Sequence, residues 1–173
     1  MFEEIEAVTK ALNAAQVRYL VVGGVAVVLH GYLRTTGDLD LVIQLEHTNL
    51  SRALEALQSL GFRPKAPVRF SDFANSETRQ SWITTKGLTV LSLASPRLPA
   101  FEVDLFASEP FDFDSVYARA ADVKLDHVAV RVIGLDDLID LKLRVGRPQD
   151  TTDVAALQAV RQALKSKEPR HQG

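Results

Sequence analysis

The sequence predicts an α+β domain in which helices flank a mixed β-sheet. Segments with a helical spacing of apolar residues and short β-branched runs succeed one another along the 173 residues. Hairpin signals interrupt that succession, which favours a mixed sheet over a doubly wound parallel one. The sequence contains neither an internal repeat nor a low-complexity linker. We therefore expect one domain over residues 1–165, followed by a polar, disordered tail at 166–173.

The N-terminal part of the chain predicts three helices and two strands. Apolar residues recur at helical spacing from Ile5 to Leu12, and a short β-branched run before Gly23 is typical of a buried strand. Gly61 is a suitable stop for an amphipathic helix. The predicted elements are a helix at 2–15, a strand at 19–22, a short helix at 25–31, a strand at 39–43 and a helix at 49–60.

The remainder of the chain predicts a hairpin, two strands and three helical segments. Lys86–Gly87 lies between two β-branched stretches, which is a hairpin signal. Gly146 and Pro148 close a helix with a strong apolar stripe. The predicted elements are hairpin strands at 81–85 and 88–93, a strand at 101–106, a helical turn at 115–121, a strand at 128–133, and helices at 135–145 and 152–165.

The composition excludes several classes of protein. The chain has no cysteine, so it forms neither disulfides nor a thiolate zinc site, and a reducing, cytoplasmic location is expected. The net charge of -2 and the pI near 6.1 give no support to a polynucleotide partner held by overall charge. The apolar runs are too short or too interrupted for a signal peptide or a membrane span, so we expect no membrane partner.

Two aspartates inside an apolar run are the first candidate for chemistry. On an extended strand Asp38 and Asp40 point to one side, and Leu39 and Leu41 point to the other. Two like charges this close repel each other unless a cation lies between them, and magnesium prefers oxygen ligands. An isolated Asp-x-Asp is more often two solvated aspartates at a strand entry, so further residues must decide.

Two further features favour a site. Gly23–Gly24 follows a strand and precedes a helix, where backbone amides approach and attract phosphate. Asp104 is a third carboxylate inside an apolar strand, and Glu102 on the same face is its competitor. A glycine turn, a carboxylate pair and a third strand carboxylate together indicate a two-metal phosphoryl-transfer site.

These residues resemble the nucleotidyltransferase superfamily of the polymerase-β type. Its pattern is a Gly-Gly or Gly-Ser turn, a spacer, an acid-x-acid pair in a strand and a third acid on a later strand. Thirteen residues separate Gly24 from Asp38 here. The stretch HGYLRTTGDLDLVI looks most like the minimal, AbiEii-like bacterial branch, with Arg34 and Thr36 at the positions of its Arg-x-Thr-x-Asp-φ-Asp motif.

A second segment resembles the C-terminal Lys…Arg-x-x-Asp-x-x-Asp motif of the same branch. Lys142, Arg147, Asp150 and Asp153 take its positions. Lys142, as a partly exposed lysine, and Arg147 would offer positive charge to a triphosphate, or would form ordinary surface pairs with Asp137 or Asp140. We favour a site-supporting ion pair for Asp150 and an outward, capping role for Asp153.

The resemblance implies a nucleotidyltransferase-like fold and a metal-dependent enzyme that moves a nucleoside monophosphate from a nucleoside triphosphate (NTP) to an acceptor. It implies Mg²⁺ or Mn²⁺ as cofactor, and tRNA, protein or a small molecule as acceptor. Some members are toxins, which implies an antitoxin partner. The implied catalytic metal ligands are Asp38, Asp40 and Asp104. The implied substrate-binding residues are Gly23, Gly24, Arg34, Thr36, Lys142, Arg147 and Asp150.

Two alternatives stay open. A basic patch around Arg63, Lys65, Arg69 and Arg79 would suit a tRNA acceptor, although such residues are commonly a solvated loop. The other alternative is a catalytically inactive nucleotide-binding or protein-interaction module of the same fold. His30 and Trp82 are expected to be packing residues.

Overall fold

The computed structural model describes residues 1–167, which form eight helices and one seven-stranded sheet. The helices are α1 (Phe2–Ala14), α2 (Gly23–Leu29), α3 (His47–Ser59), α4 (Phe70–Ala74), α5 (Ser76–Lys86), α6 (Phe113–Ala118), α7 (Leu135–Val145) and α8 (Pro148–Lys167). The strands are β1 (Tyr19–Val21), β2 (Asp38–Ile43), β3 (Arg63–Pro64), β4 (Val90–Ala94), β5 (Glu102–Phe106), β6 (Ala121–Leu125) and β7 (Val128–Val132).

The sheet is mixed, and this confirms the predicted fold class. Its strand order is β3-β4-β5-β2-β1-β7-β6. Strand β2 runs parallel to β5, and β1 runs parallel to β7, whereas the other neighbouring pairs are antiparallel. The parallel β2–β5 pair matters most for function, because it places two segments that are distant in sequence side by side.

Apolar side chains of the central strands form the core with helices on the flanks of the sheet. Leu39 and Leu41 of β2 are fully buried, and the apolar faces of α1 and α3 pack against each other in the same core. Helix α2 packs against β2 and also contacts α7. Asp38 and Asp40 point away from Leu39 and Leu41, because side chains alternate along a strand. The sheet thus presents the two carboxylates on a rigid support.

The predicted hairpin around Lys86–Gly87 is wrong in its first strand. Residues 76–86 form helix α5, which Asn75 caps by accepting a hydrogen bond from the Thr78 amide at 2.8 Å. Gly87 has a left-handed backbone (φ +64°) and is the C-terminal stop of that helix. Only the second predicted strand exists, as β4. A Lys-Gly pair suits a helix end as well as a turn, and here the cap at Asn75 decides.

Three elements were not predicted: β3, α4 and β6. Strand β3 has two residues, and α4 has five, so neither is long enough for a periodic pattern. Strand β6 lies at the edge of the sheet and pairs with β7 through a two-residue turn at Asp126 and His127. Its exposed side carries Asp122 and Lys124 in place of apolar residues, which hid it from an apolar pattern.

The C-terminal helix is longer than predicted. Helix α8 begins at Pro148, a residue favoured in the first turn, and continues through Ser166 and Lys167. The first two residues of the predicted tail therefore belong to the helix, and 168–173 lie outside the described residues. The single-domain boundary at 165 stays a prediction. Over residues 1–167, no helix combines the length and the apolar character that crossing a bilayer requires.

Candidate active site

Three carboxylates converge where β2 and β5 lie side by side. In the parallel register Asp40 is opposite Asp104, and Asp38 is opposite Glu102. One carboxylate oxygen from each of Asp38, Asp40 and Asp104 lies within 4.8 Å of the other two. Glu102 is held away from them by Lys65, whose Nζ is 2.6 Å from its Oε1. The third acid of the cluster is thus Asp104, as predicted, and not its competitor.

The electrostatics of this acid cluster (Asp38, Asp40 and Asp104) fit a cation. Burial, together with the negative charges of Asp38 and Asp104, raises the pKa of Asp40 to about 6. A hydrogen bond from the Gly24 backbone amide and the charge of Arg147 oppose that rise. A carboxylate with such neighbours is stabilised in its charged form by a positive ion.

An oxygen without a partner supports the same conclusion. Oδ1 of Asp104 is buried and has no hydrogen-bond partner among the described residues. Leaving a buried acceptor unpaired costs about 1–3 kcal/mol, so such an atom calls for a ligand. Hard oxygen donors are the ligands that Mg²⁺ and Mn²⁺ prefer. The residues present therefore fit a divalent cation.

The Gly23–Gly24 turn leads from β1 into α2 and lies against the acid cluster. Gly23 has φ +62°, and a Cβ placed on it would come closer than 3.0 Å to the Asp40 carboxylate. A Cβ on Gly24 would come equally close to Arg34 and Thr36. Both positions thus require glycine for reasons of space, because three site side chains occupy the volume that a side chain would need.

Thr36 and Arg34 have different neighbours, which the sequence left undecided. Thr36 is buried, and its Oγ1 donates to Oδ1 of Asp38 at 3.3 Å. The Arg34 guanidinium lies over Gly24, and its Nε is 3.2 Å from Oδ1 of Asp153. Thr36 therefore orients an acid of the cluster, whereas Arg34 connects the glycine turn to α8.

Lys142 was predicted to be partly exposed, but it is buried. Its side chain is only 4% exposed, and Nζ lies 3.0 Å from Oδ1 of Asp150 and 2.7 Å from Oδ2 of Asp153. The reason is the helix face: Lys142 lies one turn after Leu138, on the side of α7 that packs against α8. Its charge is thus taken up by two carboxylates of α8 and is not presented to an open cleft.

The two aspartates of the C-terminal motif also differ from each other. Asp153 was predicted to point outward, and that prediction is wrong. Its side chain is 1% exposed and lies between Arg34 and Lys142. Asp150 forms the ion pair that was predicted, with Lys142 and with Nε of Arg147 at 3.0 Å. Burial opposes its ionisation, yet hydrogen bonds from Arg147 and Lys142 leave the pKa of Asp150 below its usual value.

Arg147 is the exposed member of this group. Its side chain is 69% exposed, and the negative charges of Asp150, Asp40 and Asp38 act on it and raise its pKa. The alternative surface pairs do not form: Asp137 instead binds Arg119, with Nη2 2.7 Å from its Oδ1. Arg147 therefore faces the acid cluster with most of its guanidinium accessible.

The predicted basic patch does not form one accessible surface. Lys65 is paired with Glu102, and Arg69 is paired with Asp72. Arg79 is buried, 7% exposed, and donates to the carbonyl of Phe73 at 2.7 Å. Arg63 donates to the carbonyl of Phe62. Arg63, Lys65 and Arg69 are exposed and only Arg79 is withdrawn from the surface, and the tRNA acceptor stays a prediction.

The two expected packing residues are described by their contacts. The ring of His30 bonds the Ile133 carbonyl at 2.8 Å. Trp82 is partly buried against the core, with Lys86 over its ring. Neither side chain reaches the acid cluster, so both are packing residues, as predicted.

The fold and the site can now be compared with known proteins. A family described as "Nucleotidyltransferase of unknown function (DUF6036)" matches residues 1–164. The chain belongs to this nucleotidyltransferase family. No curated protein has a significant match to the sequence. The superfamily assigned by resemblance is confirmed, whereas the AbiEii-like branch stays a prediction.

Solved structures share the fold of this nucleotidyltransferase at low identity. The lincosamide antibiotic adenylyltransferase LnuA, with lincomycin bound, has a TM-score of 0.60 at 15% identity, over 91% of this chain and 96% of its own. ANT(2")-Ia in complex with adenylyl-2"-tobramycin has a TM-score of 0.58 at 13% identity, over 96% and 97%. An antigenic nucleotidyltransferase-like protein from Paracoccidioides brasiliensis has a TM-score of 0.51 at 15% identity, over 97% and 88%.

The pKa of Asp40 predicts that the metal-free nucleotidyltransferase is destabilised at neutral pH. Asp40 titrates near 3.8 when unfolded and at about 6 when folded, so the folded state binds its proton more tightly. The stability that the folded state gains from this proton is fully present below pH 3.8 and is lost as the pH rises through about 6. Over that pH range the free energy of unfolding falls by about 3 kcal/mol.

Asp40→Asn should therefore be more stable than the parent by up to about 3 kcal/mol at neutral pH without metal, and nearly equal to it at about pH 4. Urea unfolding in EDTA at both pH values measures this difference. A variant that is no more stable than the parent at neutral pH would contradict the electrostatic account of the cluster.

Proposed function

We propose that this nucleotidyltransferase moves a nucleoside monophosphate from an NTP to a hydroxyl group of a small molecule. The convergence of Asp38, Asp40 and Asp104 carries the proposal, since three carboxylates on two adjacent strands suit phosphoryl transfer assisted by Mg²⁺ or Mn²⁺. A divalent cation bound there would neutralise triphosphate charge and lower the pKa of the attacking hydroxyl.

Each part of the site has a task in this proposal. The acceptor oxygen attacks the α-phosphorus, the bond to the β-phosphate oxygen breaks, and pyrophosphate leaves. The proton of the attacking hydroxyl passes to the carboxylate of Asp104, through the oxygen that does not bind the cation. The Gly23–Gly24 turn brings the backbone close to the phosphates, and the accessible guanidinium of Arg147 binds them.

The acceptor class follows from charge and from similarity. The net charge is -2, and the four basic residues that would have served tRNA are paired, buried or bonded to backbone. Two proteins of the same fold are antibiotic-modifying enzymes by their names or bound molecules. These observations support a small molecule over a polynucleotide. The toxin role and the antitoxin partner stay predictions from the resemblance.

A labelling experiment tests the activity. The protein is incubated with each α-labelled NTP, Mg²⁺ or Mn²⁺, and three acceptor pools: a set of hydroxylated antibiotics, total tRNA, and a protein extract. We expect label in the small-molecule pool and none with a variant that carries Asp38→Asn and Asp40→Asn. Labelled tRNA or protein would overturn the acceptor class. Binding of magnesium–NTP without transfer to any pool would favour the inactive module.

The cation can be tested without any acceptor. Mg²⁺ or Mn²⁺ should raise the melting temperature, because it binds only the folded state. At a hundredfold excess over Kd the gain is about 2.7 kcal/mol, or about 5–10 °C for a chain of this size. The double Asp38→Asn, Asp40→Asn variant should lose this response.

The matched control for the cation is Glu102→Gln. This substitution removes a carboxylate from the same face of β5, but one that Lys65 already binds. Its thermal response to Mg²⁺ should equal that of the parent. Equal responses of the parent and the double variant would show that the cation is not bound by the acid cluster.

A further inference from the structure

Five alternating charges form a chain that starts at the glycine turn and ends beside the acid cluster. Arg34 binds Asp153, Asp153 binds Lys142, Lys142 binds Asp150, and Asp150 binds Arg147, at 3.2, 2.7, 3.0 and 3.0 Å. The three central residues, called here the buried triad (Lys142, Asp150 and Asp153), connect α7 to α8. The two arginines are the ends of the chain.

Stability is a weak explanation for the buried triad. A buried ion pair repays its desolvation poorly, and apolar residues of similar volume often serve the fold as well or better. The triad lies in a helix interface that is otherwise apolar, with Leu138, Leu141 and Leu157 buried nearby. A charged triad at that place therefore needs a reason beyond holding α7 against α8.

The reason is given by what the two ends touch. The Arg34 guanidinium lies over Gly24, so closely that no side chain fits there. Arg147 is 69% exposed and lies within the field of Asp40 and Asp38. Each arginine is held by one carboxylate of the triad at its Nε. Nη1 of Arg34 donates to the Thr35 carbonyl at 2.9 Å, so the nitrogens left for a ligand are Nη2 of Arg34 and the two outer nitrogens of Arg147. The triad thus holds one arginine at the glycine turn and the other within the field of the acid cluster, the two parts of the site to which the proposed function assigns the triphosphate.

We propose that Lys142 is a positioning residue that never touches the nucleotide, and that it orients Arg147 and Arg34 toward the triphosphate through Asp150 and Asp153. The inference rests on the proposed function. Lys142 neutralises Asp150 and Asp153 and thereby holds both carboxylates in one geometry. Each carboxylate in turn fixes the direction of one guanidinium. A long, flexible arginine that is fixed before binding loses less conformational entropy on binding phosphate.

The test removes the three charges of the triad together, so that neither the lysine nor the two carboxylates is left buried without its partner in the triad. Lys142→Met, Asp150→Asn and Asp153→Asn are combined, which keeps side-chain volumes and removes all three charges. The probe is magnesium tripolyphosphate, whose affinity is measured by calorimetry. We expect the combined variant to bind it about ten- to a hundredfold more weakly, as for loss of a charge-assisted contact. Its thermal response to Mg²⁺ alone should be unchanged, because the acid cluster is intact.

A double-mutant cycle separates positioning from direct contact. Arg147→Gln should weaken tripolyphosphate binding about tenfold in the parent and hardly at all in the combined variant, because its arginine is already misdirected there. If Arg147→Gln weakened tripolyphosphate binding by the same factor in the combined variant as in the parent, Lys142 would contact phosphate itself. That result would overturn the proposal. So would unchanged affinity in the combined variant.

The matched control is Arg161→Gln. Arg161 also joins α8 to α7, with Nη1 3.0 Å from Oδ1 of Asp136, but no contact links it to either arginine of the site. It should bind tripolyphosphate as the parent does. A parent that binds neither tripolyphosphate nor any NTP would refute the proposed function itself, which is distinguishable from failure of the positioning role.

Discussion

Asp40→Asn is expected to lower nucleotidyl transfer by about a thousandfold. Asp40 is the central acid of the cluster, opposite Asp104 across the β2–β5 pair and beside Asp38 on the same strand. Its amide replacement removes one negative ligand from a site at which a bound cation would supply several kcal/mol of transition-state stabilisation. A loss of about 4 kcal/mol corresponds to that factor in rate.

Single-turnover rates with saturating magnesium–NTP and the acceptor found by labelling measure this effect. Because Asp40→Asn is also expected to be more stable than the metal-free parent at neutral pH, a lower rate cannot result from unfolding. Glu102→Gln, on the same strand face but bound by Lys65, should keep a rate within a few-fold of the parent. A rate near that of the parent for Asp40→Asn would remove the acid cluster from the chemistry.

The second large effect concerns stability. Lys142→Met should lower the free energy of unfolding by about 3–5 kcal/mol, because it leaves Asp150 and Asp153 buried without the cation between them. The methionine keeps the volume of the lysine stem, so the loss reports charge and not a cavity. For a chain of this size the expected fall in melting temperature is about 6–20 °C.

Urea unfolding of three variants checks this result. Lys142→Met should be the least stable, and the additional changes Asp150→Asn and Asp153→Asn should restore most of the loss, because the two buried carboxylates are then replaced by neutral amides. Arg161→Gln, which removes a partly exposed pair between the same two helices, should cost no more than about 1 kcal/mol. A Lys142→Met variant as stable as the parent would contradict the buried arrangement.

Local patterns predicted most of the elements. Helix α7 was predicted with the bounds that the structure has, because Gly146 takes the left-handed conformation that ends a helix. The predicted start of strand β2 lies one residue from the observed start, and the end is the same, because a short apolar run with β-branched residues marks the strand. The failures occurred where the local signal has two meanings: Lys86–Gly87 ends a helix in place of turning a hairpin. Strand β6 lacked an apolar pattern altogether, since it forms an edge of the sheet.

The acid cluster could also be predicted from the sequence. Alternation along β2 puts Asp38 and Asp40 on one side, and a carboxylate inside an apolar strand is conspicuous at Asp104. The spacing of Gly23–Gly24 from these acids added the prediction that the glycine turn binds phosphate. The sequence favoured Asp104 over its competitor Glu102, and the structure brings the Asp104 carboxylate to Asp38 and Asp40 while Lys65 binds Glu102.

The sequence by itself thus determined the fold class, the family resemblance and the three acids, because those depend on local periodicity and on residue types at fixed spacing. Only the tertiary structure decided the roles of Lys142 and Asp153. Whether a charged residue on a helix is free or paired depends on which face the neighbouring helix covers, and on partners from other elements, such as Arg34. Burial of that face places Lys142 at the centre of an ion-pair chain, where the sequence had predicted a partly exposed lysine.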